Sequence, residues 1–84
     1  MRSFNEWKTV TISKLIELKR KYANEPKKRD LLSMVLMKVH YAKKRDLGTL
    51  LYYMDLASQE IPEMTELIPS SEEISKWLRG EKED

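Results

Sequence analysis

The chain has 84 residues, no cysteine, 36% charged and 40% hydrophobic residues, and a formal net charge of +2. That length suits one domain near the lower range at which a core without disulfides or metal sustains a fold, and it leaves no room for a large internal catalytic cavity. The lack of Cys excludes disulfide scaffolds, thiolate zinc sites, iron–sulfur clusters and thiol nucleophiles.

The charge is unevenly divided. Residues 1–46 carry 13 basic and 5 acidic side chains, net +8, whereas residues 47–84 carry 3 and 9, net −6. Such asymmetry points to a polyanion or a charged protein as partner.

In chain order, Ser3 and Glu6 have the S-x-x-E spacing of a capping box, which predicts a first helix from about Phe4. Trp7, Leu15, Leu18 and Tyr22 fall on one stripe, with Ile12, Ile16 and Ala23 beside it, giving a broad face expected to be buried. The β-branched run Thr9-Val10-Thr11-Ile12 competes locally as a short strand, but no second strand candidate exists to pair with it. Asn24-Glu25-Pro26 ends this helix, and a second runs from Pro26 or Asp30 to Lys44. Seven of the nine residues from Leu31 to Val39 are apolar, the pattern of a central helix covered on several sides. Asp46 is expected to cap a third helix, Leu47 to Ser58, with Leu47, Leu50, Leu51, Met54 and Ala57 on one stripe.

Residues 61–69 read as a connector bounded by Pro62 and Pro69, with a single turn at Glu63 to Leu67. Ser70 and Glu73 form a second capping box, and the short amphipathic helix over 70–80 has Glu72 and Glu73 at its start, Lys76 and Arg79 near its end and Gly80 as a stop. A mobile tail is expected over 81–84. The fold class is therefore all-α: a single domain, 1–84, built as a small up-down bundle of three main helices in 1–60 plus the short C-terminal fourth helix.

Three basic clusters are the candidate contacts for nucleic acid or an acidic partner: Lys19, Arg20 and Lys21; Lys27, Lys28 and Arg29; and Lys43, Lys44 and Arg45. In an antiparallel hairpin the first two meet at one end, while the third lies about 24 Å along the second helix, so two basic poles are expected. Cations near helix ends also complement the dipole, which explains 19–21 and 43–45 but not 27–29 in a first turn. The pentapeptide Lys-Lys-Arg-Asp-Leu occurs twice, at 27–31 and 43–47, and reads as helix punctuation, a duplicated docking unit being the alternative. Ile74, Trp77 and Leu78 form the apolar edge of the last helix, which either closes on its own core or docks on a partner helix.

His40 is the sole histidine and has no recognisable partner for general-base or metal chemistry. Tyr41, Tyr52 and Tyr53 are expected to pack in the core, with stacking on bases as the alternative. Met34, Met37, Met54 and Met64 suit an irregular core or an adaptable interface. Neither a P-loop, a nucleophile elbow nor H-E-x-x-H is present, and a helix-turn-helix placed over Leu31 to Ala57 would offer a recognition helix with no cation after Arg45.

These features favour a non-enzymatic helical adaptor or accessory subunit of a nucleic-acid-processing complex in replication or transcription. Its expected partners are a larger protein of that machine and non-specific DNA or RNA, with no catalytic residue, cofactor or metal. The alternatives are an autonomous small DNA-binding protein or regulator using the basic clusters, and, behind it, a small helical enzyme with a site between protomers. A homodimer through the second or third helix is left open by the sequence. The opening Met1-Arg2-Ser3-Phe4-Asn5-Glu6 lacks a signal-peptide core and no apolar run spans a membrane, so a cytoplasmic protein without membrane contact is expected. Few amides (Asn5, Asn24, Gln59) among many charges fit a thermophile, although five Met residues argue against it.

Overall fold

Helix α1 (Phe4–Lys21) starts where its cap dictates. In the computed structural model, which describes residues 2–79, the Glu6 N–H donates to Ser3 Oγ at 3.1 Å and the Ser3 N–H donates to Glu6 Oε1 at 2.7 Å. Two otherwise orphaned donors are thereby satisfied. The β-branched run 9–12 is helical, and the Thr9 hydroxyl donates to the Asn5 carbonyl one turn back at 3.1 Å. Among the described residues there is no strand.

The buried stripe of α1 is Phe4, Trp7, Thr11 and Leu15, continued by half-buried Leu18 and Tyr22. Ile16 and Ala23, read from sequence as flanking core, are exposed. Helix α2 (Pro26–Tyr41) carries Pro at its opening, where the missing N–H costs nothing. It buries Leu32, Val35 and Val39, but Met37 is 63% exposed, so α2 is not covered on all sides as its composition predicts. The reason is geometric: α1 and α3 occupy two sides of it, and no described element covers the side carrying Met37.

Helix α3 (Leu47–Ser58) buries Leu47, Leu50, Met54 and Ala57, the anticipated stripe, with Leu51 half-buried beside it. Asp46 occupies its N-cap position, but the side chain makes no capping bond to α3. Its carboxylate instead accepts from the Lys43 N–H at 2.8 Å and closes the 3₁₀ turn Lys44–Asp46 that leads into α3. The repeated pentapeptide thus has two conformations. After Pro26 it is α-helical, and after extended Ala42 it forms the 3₁₀ turn, the preceding backbone deciding between them. Lys8 Nζ donates to the Ala42 carbonyl at 2.8 Å and Lys27 lies 3.6 Å from Glu60, contacts that place α2 antiparallel to both α1 and α3.

The segment between the prolines belongs to the core. Its 3₁₀ helix Pro62–Leu67 buries Met64, and Ile61 and Pro69 are buried at its two ends. It runs back along α1 and delivers helix α4 (Ser71–Leu78) to the start of α1, with the Ser70/Glu73 capping box formed as expected. Trp77 is 2% exposed, packed edge-on to Phe4 at 5.6 Å and tilted against Trp7 at 5.7 Å between ring centroids. Each indole N–H finds a backbone carbonyl at 2.9 Å, Trp7 donating to Leu67 and Trp77 to Arg2. The expected stop at Gly80 and the tail 81–84 lie outside the described residues. Among the described residues no helix is long and apolar enough to cross a membrane.

Two substitutions test this packing. Gly48 is exposed in the first turn of α3 and a Cβ there meets nothing within 4 Å, so Gly48→Ala should raise stability by about 0.5–1 kcal/mol, read as a higher urea midpoint at unchanged slope. Trp77→Ala should cost about 3–5 kcal/mol by the same measurement, and Trp77→Phe, which keeps a ring but not the donor to Arg2, clearly less.

Candidate functional site

The basic clusters do not form one open surface, because much of their charge is answered from within the molecule. Lys21 forms an ion pair with Glu63, whose carboxylate also accepts from the Tyr22 hydroxyl at 2.8 Å. Lys27 faces Glu60, while Lys28 lies 3.3 Å from Glu25 and 5.0 Å over the Tyr22 ring. Arg29 donates to the Ala23 carbonyl at 3.4 Å and lies 3.7 Å from Asp30. These partners account for the three cations in a first turn, where the helix dipole alone disfavours them.

Lys44 corrects the sequence reading most directly. It is 5% exposed and therefore does not reach a polyanion, because its 3₁₀ turn directs the side chain inward. Its counterpart in the other pentapeptide, Lys28, is half-buried, as is Lys19. Within the three clusters, the exposed cations without an acidic partner among the described residues are Arg20 near one end of α1 and Lys43 and Arg45 near the other.

Trp77 is seated in the chain's own core, so of the two roles open to the last helix it takes the intramolecular one. Ile74 is half-buried and Leu78 remains exposed. Arg2 reinforces the seat through a bidentate pair with Glu73, Nε to Oε2 and Nη2 to Oε1 both at 3.0 Å. This hydrogen-bonded guanidinium holds the Glu73 carboxyl below its ordinary range.

The feature missing from the sequence reading is a shallow apolar groove between α1 and α2. Ile12 and Ile16 line one wall, Leu36, Met37 and Tyr41 the other, with Lys19, Ser33 and His40 completing the lining. Ile16 is 40% and Tyr41 73% exposed, in contrast to the core position expected of each. The legible signal was a second i, i+4 row on each helix, 12 and 16, then 37 and 41, distinct from the rows that pack inward. His40 is exposed and meets Tyr41 edge-on at 4.7 Å. Tyr52 is exposed too, also against expectation, and touches Tyr53, which carries Lys38 Nζ 4.2 Å above its ring. Among the described residues no group of three or more His, Cys, Asp or Glu could hold a metal ion.

No protein-family model, curated protein or solved structure matches the chain.

The Lys21–Tyr22–Glu63 contact makes an acid-range prediction. Hydrogen bonding from Lys21, from backbone and from Tyr22 lowers the Glu63 carboxyl from 4.5 to about 2. A group whose folded pKa is depressed contributes stability above its unfolded value and loses it as pH falls toward the folded one, here from about 4.5 to about 2. The melting temperature of Glu63→Gln should therefore fall less steeply than that of the parent across this window, the two curves converging at its acid end. Lys21 is largely exposed, so solvent screening keeps the difference small.

Proposed function

We propose that the chain is a non-enzymatic helical adaptor, an accessory subunit that works by protein–protein contact within a nucleic-acid-processing assembly. The observation that carries this reading is the α1/α2 groove, where large apolar side chains lie exposed on one continuous face. Protein interfaces are built around such faces, and Met37 and Tyr41 are residue types enriched in them.

The link to nucleic acid rests on the uneven charge. Arg20, Lys43 and Arg45 supply non-specific phosphate contacts at two separated points, a secondary role beside the groove. A free-standing DNA reader is disfavoured, because the cations at 21, 27 and 29 are already engaged by Glu63, Glu60 and Asp30.

Affinity purification at physiological salt after nuclease treatment tests the reading. The tagged protein should retain an identifiable polymerase or transcription assembly; Met37→Asp should reduce recovery at least tenfold, and the Lys43→Ala/Arg45→Ala double variant should leave it largely intact. Recovery of nucleic acid alone, or of the same proteins with Met37→Asp, overturns it. Duplex DNA alone should bind at micromolar affinity or weaker at this salt, without sequence preference.

A further inference from the structure

We infer that the α1/α2 groove seats an acidic amphipathic helix of two to three turns from the partner protein, an inference that rests on the adaptor reading and names the chemistry of what is bound. The floor specifies an apolar face. Ile12 and Ile16 stand one turn apart on one side, as do Met37 and Tyr41 on the other, so the groove offers two successive sites for side chains spaced i, i+4. From Ile12 to Lys19 the lining covers eight residues of α1, about 10 Å, which matches anchors at i, i+4 and i+7 of a docked helix. Nucleic acid has no use for a floor of Ile, Leu and Met.

The rim specifies charge. Lys19 lines the groove and Arg20 stands one turn beyond Ile16. Arg29, one turn before Ser33, is shared with Asp30 at 3.7 Å, and Asp46 accepts from the Lys43 N–H beyond Tyr41. Lys19 and Arg20 therefore make the groove basic at the end nearer the C-terminus of α1, which favours Glu or Asp on that flank of an incoming helix. The chain's own α4 is not the occupant, because Trp77 is seated against Phe4 and Trp7.

The test uses synthetic peptides of about 14 residues with Leu at i, i+3, i+4 and i+7, one set bearing Glu on the flanks and a matched set bearing Lys. The full-length protein carries ¹³C-methyl methionine. The acidic peptides should shift the Met37 methyl resonance and bind at least tenfold more tightly than the basic set. Met37→Asp should abolish the shift. The double variant Lys19→Glu/Arg20→Glu, shown to be folded by circular dichroism, should reverse the preference and favour the Lys peptides. Equal affinity for both sets, no response at Met37, or concentration-dependent change of the Met37 signal without peptide, which marks self-association, overturns the inference. If the peptides fail while recovery of the assembly still depends on Met37, the acidic occupant is wrong and the adaptor stands; if recovery is also indifferent to Met37→Asp, both fall.

Discussion

Two buried indole N–H groups organise this small protein. A buried donor left without an acceptor costs about 1–3 kcal/mol, a large fraction of the stability of a domain this size. Trp7 and Trp77 meet that requirement with backbone carbonyls, those of Leu67 and Arg2, which lie 60 and 75 residues away along the chain. The bonds fix where the C-terminal third must run. Leu67 is brought to the face of α1 that carries Trp7, and α4 is brought to the segment that precedes α1. Phe4 completes the cluster, and the Arg2–Glu73 pair tightens the same junction with a carboxylate that also accepts from the Ser70 N–H. A residue needed locally to begin α4 is thus also the one that holds it in place.

Three pairs join the opposed charges of the two parts of the chain across that same arrangement. Arg2, Lys21 and Lys27 pair with Glu73, Glu63 and Glu60, so the acidic segments lie against the basic ones. Each exposed pair is worth little energetically, but together they settle orientation. Their placement has a further effect. Glu63 and Glu66 lie along the side of α1 that carries Val10 and Lys14, well round the helix from Ile12 and Ile16. The groove side of α1 and α2 is consequently left apolar in its floor and basic at the end marked by Lys19. Charge asymmetry in the sequence therefore becomes a difference between faces of the fold.

What the sequence made legible was local. Both capping boxes depend on two residues three apart, so Ser3 with Glu6 and Ser70 with Glu73 mark helix starts without reference to the rest of the molecule. The stripe of α3 is clear because its period is unbroken from Leu47 to Ala57. What stayed hidden depended on which faces other elements cover. Thr11 is buried and Ile16 exposed because the 3₁₀ segment packs on one side of α1 and nothing described packs on the other. Met37 belongs to an apolar run that composition alone cannot divide into covered and open sides. The two copies of Lys-Lys-Arg-Asp-Leu show the same limit at shorter range, since identical residues became helix in one place and a 3₁₀ turn that buries a lysine in the other.

The 75-residue separation of the Trp77–Arg2 bond also bears on how the molecule is made. At a translation rate of about 5–20 residues per second, Phe4 and Trp7 are synthesised seconds before Trp77 exists to cover them. Until α4 is synthesised, neither the Trp77 ring nor its bond to the Arg2 carbonyl is available to complete the cluster of Phe4 and Trp7. The buried aromatic junction of this fold is therefore one that only the nearly complete chain can close.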